Sequence, residues 1–212
     1  MEVTQKTKAI ILRREFFNES DSRVFVYTQD FGKLDLIARG TQKLSSKLAA
    51  HIEPLNLAEI MIIKGRQYDY LGSCVSEEIF SGIKDNYEKS ITAGEAVRAV
   101  DEIVKGEEKD ERIFLMLKKF LETLNIAGSE AALFRLQILK NAFVLKLISI
   151  LGYQPKLDGF KIGELKPAQD VISAMRIVLE NKFSNLINFE FDEILTKNLE
   201  DVILKYKMYI FD

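Results

Sequence analysis

One stretch of the chain, residues 33–50, concentrates side chains that can bind phosphate. It holds a single carboxylate, Asp35, against four cations, and a glycine, Gly40, follows the apolar run that precedes the loop. Lysine, arginine, hydroxyl and backbone N–H groups are the donors that proteins use to hold a phosphate backbone. The stretch therefore predicts a phosphate-binding loop. Its side-chain donors are Lys33, Arg39, Lys43, Ser45, Ser46 and Lys47.

Residues 23–29, RVFVYTQ, alternate in a way that can extend this surface. The alternation puts Phe25 and Tyr27 on one face of a strand, where exposed rings can stack on bases. Arg13, Arg14 and Arg23 can enlarge the basic patch. Two alternatives stay open. The cations can simply keep the loop solvated, and the two rings can belong to a core with two apolar faces.

The composition is that of an ordinary globular protein, and it lacks the excess of positive charge that a general binder of polyanions would have. The chain has 212 residues, is 47% hydrophobic and 29% charged, and carries a formal net charge of −2. Residues 1–80 contain equal numbers of basic and acidic side chains. Nucleic-acid binding must therefore rest on a one-sided patch, and it must weaken steeply as salt increases.

The motifs of common enzymes are missing from the sequence. There is one histidine, His51, and one cysteine, Cys74, so neither a disulfide within the chain nor a metal site of several such ligands can form. No phosphate-binding glycine motif occurs. Ser81–Lys84 matches Ser-x-x-Lys without the companion motifs, which indicates coincidence. These patterns favour a binding protein over an enzyme.

An enzyme acting on nucleic acid is a weaker third class, because it needs carboxylates that converge on a metal. Four acidic residues of the strand region could supply such carboxylates, but the sequence gives no reason for them to converge. They are Asp35, Glu53, Glu59 and Asp69.

The most apolar run, residues 133–151, predicts a buried helix because charged residues interrupt it, and a membrane span is not expected. The first twelve residues carry charges inside a short apolar segment, which does not resemble a secretory signal. We therefore expect a cytoplasmic protein.

Patterning predicts an α+β chain with strands first and helices afterwards. Five short strands in about 75 residues are typical of a small barrel such as the OB-fold. We expect strands at 7–15, 23–29, 34–40, 55–65 and 67–75, with a tight hairpin at 30–33.

Helical periodicity begins near residue 85 and gives the second predicted domain. The domains are an OB-fold over 1–80 and a helical domain over 81–212. The third helix, capped by Ser129 and ended by Gly152, is apolar nearly all round and is expected at the centre. The other apolar stripes run over 93–104, 113–124, 171–179 and 194–203.

Several short motifs of the first domain together resemble the RecO family of bacterial recombination mediators. Leu12–Arg13 ends the first strand, Glu19–Ser20–Asp21 forms the first turn, and Thr28 precedes Phe31–Gly32–Lys33. The remaining motifs are Ala38–Arg39–Gly40, Ser46–Lys47–Leu48, Glu53–Pro54 and, more loosely, ILGYQPKLD at 150–158.

The resemblance implies an OB-fold followed by a helical domain and a non-catalytic role in DNA repair. It implies binding of single- and double-stranded DNA, annealing of complementary strands, and loading of RecA onto strands coated by single-stranded-DNA-binding protein, with RecR as partner. By position, Arg39, Lys43, Ser46 and Lys47 match the family's basic loop.

The chain departs from the family at a zinc site that many relatives carry. Phe160 and Gly163 stand about where a Cys-x-x-Cys pair is expected, and the chain has one cysteine. We therefore predict that zinc is absent and that no other cofactor is needed. Phe160 and Ile162 are predicted to pack this loop by burial.

The alternative function is a protein–protein adaptor whose barrel is structural. In that reading the helical domain binds a partner peptide, such as the acidic C-terminal tail of the single-stranded-DNA-binding protein. Candidate contacts are three cations of the central helix, although each can also extend its charge to the surface beside an apolar stem. They are Arg135, Lys140 and Lys146.

Overall fold

A computed structural model describes residues 4–106, 109–128, 133–189 and 191–211. Its α+β architecture confirms the predicted fold class, with five strands followed by helices. The predicted cap at Ser129 lies outside the described residues. The strands are β1 (Thr4–Phe16), β2 (Ser22–Thr28), β3 (Gly32–Ala38), β4 (Leu57–Ile63) and β5 (Asp69–Glu78).

The five strands close into a barrel in the order β1-β2-β3-β5-β4. All neighbours are antiparallel except β3 and β5, which pair in parallel only at Leu36↔Asp69 and Ile37↔Tyr70. Closure in this order is the topology of an OB-fold, as predicted. Gly32 takes a positive φ of 69° at the start of β3, which permits the tight hairpin.

Alternating side chains of the strands fill the barrel. Val24, Val26 and Leu36 point inward and are fully buried, and they pack with Ile60 and Ile62 of β4. Because successive residues of a strand face opposite sides, this alternation assigns the residues between them to the outer face.

The outer face of β2 is buried as well. The compact unit that contains the barrel comprises Met1–Ser81 and also Val97–Lys118, and we call it the barrel unit. Tyr27 is fully buried, and its hydroxyl donates a hydrogen bond of 3.1 Å to the carbonyl of Asp110. The predicted boundary at residue 80 marks the end of the strands, but residues 97–118 belong with them because they cover this apolar face.

Replacing Tyr27 by phenylalanine tests this cover. The change leaves the buried ring in place and removes the donor to Asp110, so we expect a loss of about 1 kcal/mol in the free energy of unfolding. Thermal unfolding followed by circular dichroism measures it. An unchanged melting temperature would contradict the contact.

Seven helices follow the strands in the described part of the chain. Gly106 and Gly152 were predicted to end helices, and both have the positive φ that favours glycine at a helix end, 72° and 94°. The helices are α1 (Ser81–Lys84), α2 (Tyr87–Ile103), α3 (Glu111–Ile126), α4 (Leu133–Ile148), α5 (Gln169–Glu180), α6 (Phe183–Leu186) and α7 (Glu193–Phe211), with a π-helical turn at Ser149–Tyr153.

The second compact unit comprises Gly82–Ala96 and Lys119–Asp212, and we call it the helical unit. Helix α4 is its centre, as predicted, because most of its apolar side chains are buried and it packs against α5 and α7. Phe143 of α4 contacts Phe120 and Phe183 with ring centroids 4.8 and 6.3 Å apart. None of the described helices is both long and apolar enough to cross a membrane.

The loop after the π-helical turn packs by burial, which confirms the prediction. Phe160 and Ile162 are 6% and 9% exposed. Ile162 and Leu165 exchange two backbone hydrogen bonds of 3.0 Å, and the Phe160 ring meets Tyr206 of α7 edge-on at 5.2 Å. An aromatic contact therefore closes the loop at the place where the family resemblance suggested a metal.

Candidate nucleic-acid interface

Three loops of the barrel unit meet at one end of the barrel. The β1–β2 loop contacts the β3–β4 loop through a hydrogen bond of 3.0 Å from the Gln42 N–H to the carbonyl of Ser20. It contacts the β4–β5 loop through the rings of Phe17 and Tyr68, whose centroids lie 5.4 Å apart. The predicted basic loop is therefore part of a composite surface.

Arg14, predicted to bind DNA, instead positions the basic loop. Its guanidinium donates hydrogen bonds of 3.3 and 3.4 Å to the carbonyls of Thr41 and Ala49, and it pairs with Glu53 at 2.9 Å. Only 19% of its side chain is exposed. Its donors are directed at the loop's own backbone, so we assign it a structural role.

Asp21 holds the first turn of the same loop. Its carboxylate accepts a hydrogen bond of 2.8 Å from the N–H of Gly40, which has a positive φ of 68°. This bond, together with one from Asn18, lowers the pKa of Asp21 below its ordinary value. The carboxylate therefore favours the conformation that presents Arg39 and Lys43.

The low pKa of Asp21 gives a test. A carboxyl whose pKa is lowered by folding stabilises the folded state fully at pH values above its pKa in the unfolded chain, 3.8. This stabilisation is lost as the pH falls through the pKa of the folded state. We expect Asp21→Asn to unfold at lower urea concentration than wild type at neutral pH, and the two midpoints to converge as pH falls below the lowered pKa of Asp21. A pH-independent difference would contradict this role.

Arg39, Lys43 and Lys47 are exposed, and the structure gives none of them an ion pair with a described residue. The Arg39 guanidinium lies over the Tyr70 ring, 4.3 Å from its centroid. Ser46, half-buried, follows Lys43 in a turn closed by a backbone hydrogen bond of 2.9 Å. The three cations of this loop are therefore available to an anion.

Two other predicted cations are neutralised within the barrel unit. Arg23 pairs with Asp35 of β3, its Nε lying 2.9 Å from a carboxylate oxygen. Lys33 pairs with Asp101 at 3.0 Å and donates to the carbonyls of Asp101 and Val104. Burial raises the pKa of Asp101, but hydrogen bonds from Lys33 and Arg13 outweigh it and hold that pKa below its ordinary value. Lys33 is therefore a structural residue.

Lys33→Gln tests whether Lys33 stabilises the fold or binds DNA. We expect the variant to lose roughly 1.5–3 kcal/mol of unfolding free energy, since it breaks charged hydrogen bonds, while its affinity for a single strand stays within about twofold. Lys43→Gln is the matched control and is expected to show the reverse pattern. Denaturant titration and oligonucleotide binding measure both. A large loss of DNA binding in Lys33→Gln would refute the assignment.

The prediction that Phe25 and Tyr27 stack on bases is wrong. Phe25 is 8% exposed, and the guanidinium of Arg13 covers its ring at 3.3 Å, with that of Arg23 at 5.2 Å. Tyr27 is fully buried. The face on which OB-folds usually hold a single strand is thus occupied here by Arg13 and Arg23, and by the backbone at Asp110.

Other aromatic residues take the exposed positions, and they were missed in the sequence. Phe16 is 83% exposed at the end of β1, and Phe17 and Tyr68 are 38% and 39% exposed in the neighbouring loops. Exposed rings beside free cations are what single-strand binding sites use. The available signal was two consecutive phenylalanines immediately before the polar turn NESDS, where burial is not expected.

The three cations predicted to bind a partner peptide differ in their surroundings. Lys140 pairs with Glu200 and Glu95 at 2.5 and 3.5 Å. Lys146 donates to the carbonyl of Leu179 at 2.7 Å, and burial lowers its pKa. Both head groups serve contacts inside the helical unit, which argues against the predicted role. Arg135 lines a pocket of about 500 Å³ with Ile126 and Ile187.

The four carboxylates that metal-dependent chemistry would need do not converge on a common site. Each faces its own cation, and no cluster of three or more potential ligands occurs among the described residues. The pairs are Asp35 with Arg23, Glu53 with Arg14, Glu59 with Lys6, and Asp69 with Lys64.

Comparison with known proteins agrees with the barrel. Residues 1–80 match the family described as "Recombination protein O N terminal". Through this domain the chain belongs to the RecO family. The DNA repair protein RecO of Thermoanaerobacter sp. (strain X514) is 24% identical over 95% of this chain and 90% of its own length.

Other RecO proteins match over less of their length. That of Caldanaerobacter subterraneus subsp. tengcongensis is 28% identical over 72% of this chain and 60% of its own length. The RecO protein of Roseiflexus sp. (strain RS-1) is 31% identical over 72% of this chain and 51% of its own length. This chain thus spans little more than half of these two relatives.

The residues of this RecO family member do not fit a zinc site of cysteine ligands at the loop 154–167. Phe160 is buried against Tyr206, and Gly163 offers no donor side chain. The single cysteine, Cys74, lies in β5 of the barrel unit, where burial raises the pKa of its thiol to about 12. A thiolate ligand is disfavoured there, and no step of the function below uses a metal.

Proposed function

We propose that this RecO family protein is a DNA-binding recombination mediator that acts without catalysis. The DNA backbone lies on Arg39, Lys43, Ser46 and Lys47, and bases stack on the exposed aromatic residues of the neighbouring loops. The observation that carries the proposal is the contrast among the barrel cations. Those on the strands are neutralised by carboxylates, whereas the three of the basic loop are exposed without an ion pair among the described residues.

Titration of a labelled single-stranded oligonucleotide at several salt concentrations tests the proposal. Three phosphate contacts predict a slope of about −2 in log K against log salt, since each contributes roughly −0.7 on a single strand. Fluorescence anisotropy gives the affinity at each concentration. A slope near zero, or no binding at low salt, would refute the mechanism.

The wider role follows from family membership. We propose that the protein binds double-stranded as well as single-stranded DNA, anneals complementary strands, and helps load RecA with RecR on strands coated by single-stranded-DNA-binding protein. Its cellular place is then the bacterial cytoplasm, at the nucleoid. An annealing assay with complementary labelled strands, with and without the coating protein, tests this part separately.

The adaptor function keeps support from one feature of the helical unit. The pocket lined by Arg135 joins a cation to apolar side chains, among them Ile126, which is 82% exposed. A peptide with an acidic, apolar C-terminus, such as the tail of the single-stranded-DNA-binding protein, has the complementary chemistry. Arg135→Ala is expected to weaken binding of that peptide about tenfold without changing DNA affinity. Unchanged peptide binding would remove this candidate.

A further inference from the structure

A second pocket of about 400 Å³ opens in the barrel unit beside the basic loop. Arg39 lines it together with Lys64 and Gly65 of the β4–β5 loop. Its volume lies in the range of small-ligand sites, about 300–1,000 Å³. The pocket lies where β3 and β5 pair at only two positions, so the sheet leaves room there.

The walls of the pocket suit a flat, uncharged group. Leu48, Ile63 and Leu71 supply apolar surface. The Lys64 ammonium is neutralised by Asp69 at 2.6 Å, which leaves Arg39 as the lining cation without an ion pair among the described residues. A phosphate would lose its hydration against apolar walls without enough cations to replace it, so the pocket itself does not suit a phosphate.

Arg39 and Tyr70 form the planar side of the pocket. The guanidinium lies over the ring at 4.3 Å, and both residues line the cavity. Guanidinium planes and aromatic rings are the surfaces on which proteins stack unpaired bases. Arginine and lysine are not equivalent here, because only arginine offers a plane.

Gly72 of β5 also lines the pocket. A Cβ at Gly72 would lie 2.8 Å from both Ile63 Cδ1 and Met61 Cε. The glycine thus lets apolar side chains of β4 lie across β5, where Ile63 lines the pocket. The wall is built by packing and is present before any ligand binds.

We propose that this pocket holds one base of a bound single strand, flipped out of the stack against Arg39 and Tyr70. The proposal rests on the single-strand binding proposed above and adds a subsite to it. Lys47 directly precedes Leu48 of the pocket wall, so a strand whose phosphate contacts Lys47 places a base within reach. The base contributes affinity that does not depend on phosphate charge.

Two strands of equal length and charge test the subsite. One is labelled oligo-thymidylate, and the other carries abasic tetrahydrofuran residues in place of the thymidines. We expect wild type to prefer the strand with bases about tenfold or more. Tyr70→Leu is expected to reduce that preference severalfold and to leave binding of the abasic strand within about twofold. Arg39→Lys keeps the positive charge and removes the plane, so it is expected to reduce the preference severalfold as well. Lys47→Ala is the control and weakens both strands equally.

Each outcome is decisive. A preference that persists in both pocket variants would place the stacking on Phe16, Phe17 or Tyr68 and overturn the subsite. Equal binding of the two strands by wild type would also overturn it and leave DNA binding intact. Binding of neither strand would refute both proposals. Cross-linking of 5-iodouracil strands to wild-type protein needs no variant, and we expect Tyr70 among the labelled residues. Labelling confined to the outer rings would contradict the subsite.

Discussion

Lys43→Glu combined with Lys47→Glu is expected to weaken binding of a single-stranded oligonucleotide roughly fiftyfold at low salt and to flatten its salt dependence. The double change removes two of the three exposed cations of the basic loop and adds two charges that repel phosphate. Neither lysine has an ion pair with a described residue, so the fold loses no salt bridge seen in the structure. Fluorescence anisotropy across a salt series measures both effects.

The matched control reverses the charge of two exposed cations elsewhere in the barrel unit, Arg98 and Lys105. Both variants have the same net charge, so a general electrostatic effect would weaken binding equally in each. We expect the control to bind within about threefold of wild type. Equal losses in the two variants would show that charge alone, without a defined loop, governs binding.

Phe160→Ala is expected to destabilise the helical unit by about 3–4 kcal/mol. The ring is 6% exposed and meets Tyr206 of α7 at 5.2 Å, and truncation of a buried aromatic side chain leaves a cavity. Denaturant unfolding followed by circular dichroism measures the loss. If zinc stabilised this loop instead, a chelator would destabilise wild type by a similar amount, and we expect no effect of the chelator.

Leu165→Ala is the control for this change. Leu165 lies in the same loop but is 39% exposed, and its backbone hydrogen bonds to Ile162 do not depend on its side chain. We expect a loss below about 1 kcal/mol. Similar losses in both variants would mean that the loop does not depend on the buried ring.

Local pattern was sufficient to predict the strands and the basic loop. Alternation separated Val24 and Val26 from Phe25 and Tyr27, the structure places the two valines in the barrel interior, and turn residues separated the strands correctly. The ends were less certain: β1 extends to Thr4 and Phe16 because its partners β4 and β2 continue the ladder beyond the apolar residues. Helix α7 continues eight residues past the predicted apolar stripe, and the side chains of those residues are exposed or half-buried.

The outer face of β2 could not be predicted from neighbouring residues. Phe25 and Tyr27 alternate as exposed residues would, but Arg13 covers the Phe25 ring, and Tyr27 bonds to Asp110, which lies far along the chain. The same holds for Lys33, whose partner is Asp101. Charge in a loop is visible in the sequence, whereas the neutralisation of a charge by a distant carboxylate is a property of the tertiary structure.

The barrel unit is discontinuous in sequence, and this affects how the chain is made. The family domain ends at residue 80, but Tyr27 and Lys33 obtain their partners from residues 101–110. During synthesis on the ribosome, all five strands emerge before the segment that buries their outer face. The nascent barrel therefore exposes an apolar ring and an unpaired lysine until that segment has left the exit tunnel, and only then does the unit reach its full stability.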